Sequence, residues 1–365
     1  MKTAVIQCAD TGPLESLTFM LEQVGYRAYR TDRSLNRLLR EAGCDTVLNA
    51  EDLIEGMGYE MPECPTANSN VLASCDLFVD LKAHRNYPKI IKRWPRLEKR
   101  VLWYRINGGE PEHVVKGGED YGDEVHPPCP VLTPNQWYAL KTISVDFPPS
   151  WDRLTPGTSG RHEVPAPWAG RAYTCWPPFV RFDEYRRDPW EKWNGYHAPI
   201  CLIHNLPGWG YQRLVEPIRA LEVKMFGRGS PDGLIPHHHV RQYLSSVTAL
   251  VHLKSNDAPG YALYEALAAA CPIICSRRLI WRCKMQELLD PGVTCLVFDR
   301  ETHDGLTNED VAKCTAEIKG HLEWLRDPDN NRLIGEAGRL RLQQVMWRPE
   351  RDAAGLKEWL ERNFP

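Results

Sequence analysis

Apolar residues along this chain fall into short runs that alternate with stretches of helical spacing. The run at 3–8 (TAVIQC) leads into Ala9-Asp10-Thr11-Gly12-Pro13, after which Leu14, Leu17, Leu21 and Val24 recur at helical intervals. This predicts a strand, a glycine turn and a helix. Further strands are expected at 26–30, 46–50, 76–81 (DLFVDL) and 101–106 (VLWYRI), with His84 in a loop after DLFVDL. Residues 107–130 are rich in Gly, Pro and acids and read as a long loop, and 147–170 are turn-rich. After a polar, aromatic stretch at 181–197 the alternation restarts. APICLIHN is a strand and turn, and Leu214, Val215, Ile218 and Leu221 mark a helix. VKMFG is a strand, Val240, Tyr243, Leu244 and Val247 a helix, and ALVHL a strand. A helix at 261–269 and the strand PIICS follow, then a helix opened by Thr307-x-x-Asp310, an N-terminal capping pattern.

Strands alternating with helices argue for parallel sheets covered on both faces. The restart divides the chain into two Rossmann-like domains facing a central cleft. Residues 1–180 form the first, 181–197 a linker and 198–347 the second; 348–365 is a last helix able to cross back to the first. The length, 365 residues, suits two domains. Apolar residues at 42% and charged residues at 25% exclude a disordered or fibrous chain. A net charge of −3 excludes a surface that attracts polyanions everywhere. None of the 12 cysteines has CxxC spacing, and most lie in apolar runs, so buried reduced thiols are expected and no metal site. His237-His238-His239 precedes a helix and reads as a surface loop. The amino-terminal residues have no signal-peptide core, and no stretch approaches the ~18 apolar residues of a membrane span, so a cytoplasmic protein is expected.

The most informative stretch is 249–299. A strand ends at Leu253, the polar loop Lys254-Ser255-Asn256-Asp257 follows, and Ala258-Pro259-Gly260 opens a helix of small residues beginning near Tyr261. Unpaired N–H groups and the positive dipole end at such a helix start make an anion site, the dipole alone being worth on the order of 0.3–2 kcal/mol. Gly260 allows close approach to the backbone. Asp257 and Glu265 have an acid-x7-acid spacing, and Glu265 lies just over one turn from Tyr261. On the buried side, Glu265 would hold a ribose diol through two hydrogen bonds. The alternative is an acid balancing a dipole and an exposed helical Glu, and spacing leaves both open.

This segment resembles the donor-binding region of GT-B glycosyltransferases, in particular glycosyltransferase family four. Asp257, Pro259-Gly260, Glu265-Ala266-Leu267-Ala268 and Cys271-Pro272-Ile273-Ile274 follow the family pattern in order. Gln286-Glu287-Leu288 with Gly292 to Val297, and residues 325–347, are similar to later family elements. The resemblance covers about 196–347; in the first half it rests on Gly12, His84 and YTCWPPFV (173–180). It implies an α/β chain of GT-B fold, no metal or resident cofactor, and a nucleotide-diphosphate sugar as co-substrate. By resemblance, Glu265 holds the nucleotide ribose, Asp257 and the backbone from Ala258 through Pro259 and Gly260 to Tyr261 lie at the donor sugar and diphosphate, and Gly227 and Arg228 lie near the base. Gly12 and His84 are on the acceptor side. The family's basic pair after the first strand of this domain is replaced by the stretch from His204 and Asn205 to Arg213, with Lys254, Arg277 or Arg278 as other sources of charge. The expected reaction is sugar transfer to a hydroxyl with retention. Inversion would need a carboxylate base on the first domain, Asp10 or Asp80. A catalytically silent sugar- or nucleic-acid-binding protein on the same scaffold is the alternative.

Residues 82–105 hold nine Lys or Arg and one acid, with Tyr87, Trp94, Trp103 and Tyr104 interleaved. Lys92, Arg93 and Arg96 with such aromatics fit a surface that tracks phosphates and stacks bases; a solvated helix face balanced by the acidic loop is the other reading. The former makes DNA a candidate acceptor. Some viral GT-B enzymes glycosylate hydroxymethylated bases, which would place this chain in a host cytoplasm and require a flipped base.

Overall fold

The apolar runs of the first half pair side by side as parallel strands. The computed structural model describes residues 1–7, 11–45, 64–104, 129–133, 145–146, 172–188, 200–205, 212–228, 230–233, 235, 237–254, 260–282, 285, 288–299 and 306–365. They fall into two units, residues 1–179 with 346–365, and residues 180–345.

In the first unit β1 (Lys2–Gln7) leads into α1 (Thr11–Gln23), and β2 (Tyr26–Thr31) into α2 (Arg33–Glu41), which Asp32 caps by accepting from Leu35 N–H at 2.7 Å. Then come β3 (Thr66–Ala67), α3 (Ser69–Ser74), β4 (Leu77–Asp80), α4 (Ala83–Arg93), β5 (Val101–Tyr104), β6 (Val131–Thr133), β7 (Val145–Asp146) and β8 (Tyr173–Cys175). The sheet order is β3-β2-β1-β4-β5-β6-β8-β7, and every pairing is parallel. The order reverses between β1 and β4, where Gln7 and Asp80 are register partners. Strand alternation sends Ile6, Val79 and Leu102 to the α1 face, and Val5, Phe78 and Val101 to the face covered by α2 and α4. Burial on both faces makes these strands continuous apolar runs.

The second unit contains β9 (Ile200–Asn205), α5 (Gln212–Arg219), β10 (Lys224–Arg228), α6 (His237–Ser246), β11 (Leu250–His252), α7 (Tyr261–Ala268), β12 (Ile273–Ser276), α8 (Arg277–Arg282), β13 (Leu296–Phe298), α9 (Asn308–Trp324) and α10 (Pro328–Val345). Its parallel sheet has the order β10-β9-β11-β12-β13. Leu214, Ile218, Ile318 and Leu322 from α5 and α9 pack with Met225, Val251, Ile274 and Phe298 of the sheet. The Thr307/Asp310 box is present: Thr307 Oγ1 accepts from Asp310 N–H at 3.1 Å, and Asp310 Oδ2 accepts from Thr307 N–H at 2.7 Å. On the other side α7 lies against α10 at two glycines. A methyl group at Gly335 would meet the Ala270 carbonyl oxygen at 2.1 Å, and one at Gly338 would meet Leu267 Cδ2 at 2.7 Å. The chain then returns to the first unit through α11 (Pro349–Asn363), whose Leu356, Trp359 and Leu360 join Leu17 and Leu21 in the core on the α1 face.

Four expectations change. His237, His238 and His239, read as a loop before a helix, are the first residues of α6. His84 is not in a loop: it lies in the first turn of α4. The stretch expected to link the domains is packed within the second unit from Val180 to Asp188. Tyr87, Trp103 and Tyr104, read as exposed stacking surfaces, are buried core residues of the first unit, and the Tyr87 hydroxyl donates to the Glu98 carbonyl at 2.8 Å. The expected strand at 46–50 and nearly all of the loop at 107–130 lie outside the described residues. Cys44, Cys64, Cys75, Cys129, Cys271, Cys275, Cys295 and Cys314 are buried free thiols. Among the described residues no helix is long and apolar enough to cross a membrane.

Candidate functional site

The second sheet reverses its order between β9 and β11, and in open parallel sheets ligands bind at the carboxyl ends of strands at such a point. Asn205 ends β9 and pairs in register with Arg228 at the end of β10. Gly227 precedes Arg228 with φ at +140°, a conformation that favours glycine, and its N–H donates to the Gly233 carbonyl at 2.8 Å. Lys254 follows β11 and is half-buried. Gly260 is the N-cap of α7, with no side-chain cap, and Tyr261 opens the helix. Arg277 and Arg278 follow β12 directly. Strand polarity thus collects these residues at one edge of one sheet.

Helix α7 is apolar nearly all round, with Leu263, Tyr264, Ala266, Leu267 and Ala268 buried. Glu265 is the acidic exception, and it is 6% exposed. A carboxylate so deep is costly without hydrogen bonds. The Tyr185 hydroxyl donates to Glu265 Oε1 at 3.0 Å, and Tyr185 is itself 2% exposed. The Tyr185 carbonyl accepts from Arg339 Nη1 at 2.6 Å, and the Arg241 guanidinium lies 5.3 Å from its ring centroid. Two residues on, Arg187 donates to the carbonyls of Leu244 at 2.8 Å and Val247 at 2.7 Å and to Asn331 Oδ1 at 2.9 Å. Burial lowers its pKa to about 10, so it stays charged at neutral pH.

Two of the cations considered for the diphosphate are already committed. Arg213 donates to the Leu306 carbonyl and to Asn308 Oδ1. Arg277 pairs with Asp299 at 2.8 Å, each side chain about half exposed. Lys254 and Arg278, both half-buried, stand at the same edge of the sheet. Asp257, Ala258 and Pro259 lie outside the described residues.

On the first unit Gly12 lies in the first turn of α1, while Asp10 lies outside the described residues. Asp80, at the end of β4, is fully buried. Its Oδ1 accepts from Lys82 N–H at 2.8 Å and its Oδ2 from Asn86 Nδ2 at 3.0 Å. Burial outweighs these bonds and raises its pKa from 3.8 to about 7. Gln7 beside it is 2% exposed, and neither of its amide atoms has a partner among the described residues. Lys92 and Arg93 in the last turn of α4, and Arg96 in the 3-10 turn Pro95–Leu97, are exposed. The Arg93 guanidinium rests 5.9 Å from the centroid of the half-buried Trp94 ring.

The residues that sequence reasoning missed are Tyr185 and Gln7. Tyr185 carried one local signal, Phe182 and Tyr185 spaced three apart in a charged stretch, a pattern that anchors a segment on a surface. Gln7 sat inside an apolar strand run and carried none.

Comparison with known proteins agrees with this architecture. Residues 210–348 match the family model described as glycosyl transferase-like. No curated protein sequence matches the chain. HepE of Anabaena, solved with UDP and glucose, is 12% identical over 99% of this chain and 98% of its own, with a TM-score of 0.58. An alpha-glucosyltransferase in complex with UDP is 10% identical over 100% of both chains, with a TM-score of 0.54. An alpha-glucosyltransferase solved with UDP-glucose and DNA containing an abasic site is 11% identical over 100% of both, with a TM-score of 0.50. The chain has the GT-B glycosyltransferase fold. Within it, the glycosyl transferase-like match falls on the unit that carries Glu265.

Proposed function

We propose that this protein is a glycosyltransferase that moves a sugar from a nucleotide-diphosphate sugar to an acceptor hydroxyl. One observation carries the reading: Glu265, the acid of the apolar helix that follows β11 at the reversal of the second sheet, is buried and hydrogen-bonded. A buried acid is expensive to keep, and gripping the ribose diol of a nucleotide accounts for it. The helix start at Gly260 and Tyr261 aims N–H groups at the diphosphate, and Lys254 and Arg278 add charge where the leaving group becomes negative. No metal is required in this scheme. The proposed stereochemistry is retention, with front-side attack and the departing phosphate taking the acceptor proton. Asp80 is a poor base for inversion despite its raised pKa, because it is fully buried and both its oxygens are bonded. Asp257 would contact the transferred sugar; Asp10, His84 and Gly12 would lie on the acceptor side.

Calorimetry with UDP and UDP-glucose tests the donor site. Glu265→Ala is expected to weaken UDP binding roughly 10- to 150-fold, the value of hydrogen bonds to a charged group, and to lower transfer from UDP-glucose in step. Unchanged UDP affinity and unchanged transfer in a folded variant would dismiss the assignment.

The proposed acceptor is a hydroxymethylated base in DNA. Support comes from the exposed Lys92, Arg93 and Arg96 and from the neighbour solved with DNA. With Tyr87, Trp103 and Tyr104 in the core and Trp94 half-buried, phosphate contact rather than base stacking would supply most of the affinity. Three such contacts predict a roughly 40-fold fall in duplex binding between about 50 and 200 mM salt. Binding that hardly changes over that range argues against DNA.

A further inference from the structure

Resting on the assignment of Glu265 to the nucleotide ribose, we propose that Tyr185 is a positioning residue, its hydroxyl setting the orientation in which the Glu265 carboxylate meets the ribose hydroxyls. The two residues are 80 positions apart in sequence, and the hydroxyl reaches Glu265 Oε1 at 3.0 Å. Both side chains are buried, so water competes little for this bond and it restrains the carboxylate strongly. Glu has three side-chain torsions, and an acid meant to accept two ribose hydroxyls at once must hold its plane. The hydroxyl donates and Glu265 Oε1 accepts, so this contact fixes one end of the carboxyl group.

Tyr185 is fixed before any ligand arrives. It follows the 3-10 turn Phe182–Glu184, closed by the Tyr185 N–H to the Phe182 carbonyl at 3.3 Å. Arg339 grips the same two residues, donating to the Tyr185 carbonyl at 2.6 Å and stacking its guanidinium 3.8 Å from the Phe182 ring centroid. Downstream, Asp188 N–H donates to the Ser245 carbonyl at 3.0 Å, and Arg187 ties the segment to the end of α6. The segment therefore behaves as a brace that carries one hydroxyl to one carboxylate. A ring alone would fill the space; the hydroxyl is the part that addresses Glu265.

Tyr185→Phe removes that hydroxyl and keeps the ring. UDP and 2′-deoxy-UDP are titrated by calorimetry into the wild-type protein, Tyr185→Phe, Glu265→Ala and the double variant, with thermal melting as the folding control. Tyr185→Phe is expected to weaken UDP about fivefold and 2′-deoxy-UDP much less, and to have no effect in the Glu265→Ala background, since the pair acts as a unit. Tyr185→Phe would be merely structural, and the proposal overturned, if it weakened both nucleotides equally or weakened UDP equally with and without Glu265. A silent Tyr185→Phe beside a strong Glu265→Ala effect overturns the positioning role alone. Unaltered UDP affinity in Glu265→Ala removes the ribose assignment itself, and the proposal with it.

Discussion

Replacing Gly335 by alanine is expected to destabilise the second unit by roughly 3 kcal/mol, the upper part of the usual range for overpacking. The new methyl group would sit 2.1 Å from the Ala270 carbonyl oxygen and 3.0 Å from its carbonyl carbon. Both are backbone atoms, so no side-chain rotation relieves the clash. Ala270 has little freedom to move: its φ is +52°, already unusual for a residue with a Cβ, and its N–H is bonded to the Leu267 carbonyl at 3.0 Å. The helices must separate, and α7 carries Glu265. A fall of roughly 6–12 °C in the melting temperature of this unit follows from the size of the change, with weaker UDP binding alongside. Gly338→Ala should cost less, because its nearest obstacle, Leu267 Cδ2, is a side-chain end. Gly320, on α9, has open space around it, so Gly320→Ala should stabilise by about 0.5–1 kcal/mol through helix propensity. Equal melting temperatures for Gly335→Ala and Gly320→Ala would show that α7 and α10 are not in such close contact.

The second large effect concerns Asp80 and pH. Its pKa rises from 3.8 to about 7 on folding, with burial as the main cause and the Lys82 N–H and Asn86 bonds opposing it. The folded state therefore holds a proton that the unfolded state has released over that interval. Stability from this group is complete below about pH 4 and is lost as pH climbs through about 7, amounting to on the order of 4 kcal/mol. Urea unfolding of the first unit from pH 4 to 8 measures it. The difference between wild type and Asp80→Asn should run against the wild type as pH rises. Parallel curves for the two proteins would mean that Asp80 ionises as it does in the unfolded chain.

Much of the fold was written in local pattern. TAVIQC became β1, DLFVDL contains β4, APICLIHN contains β9, and Thr307-x-x-Asp310 opens α9 with both capping bonds made. These signals survive because each depends on neighbours in sequence. The start of α4 left none: Lys82 at its N-cap makes no side-chain cap bond, and Pro88 lies inside the helix, so His84 read as loop. Trp103 and Tyr104 were misread for a different reason. They stand among basic residues, yet β5 is covered on both faces and shows no polar alternation. At the site, the spacing of Glu265 was visible, but spacing left buried and exposed placements both open. Its burial and its tie to Tyr185 are tertiary facts, set by packing against residues far away in sequence.

The return of α11 to the first unit has a consequence for synthesis. Trp347, Leu356, Trp359, Leu360 and Phe364 complete the core on the α1 side of the first sheet. A ribosome delivers them only after every residue of the second unit. The second unit is continuous in sequence and can close its core while Leu14, Leu17 and Leu21 still lack those partners on the nascent chain. The core of the first unit therefore cannot be completed until the second unit has been synthesised, the opposite of the usual order in which amino-terminal domains finish first.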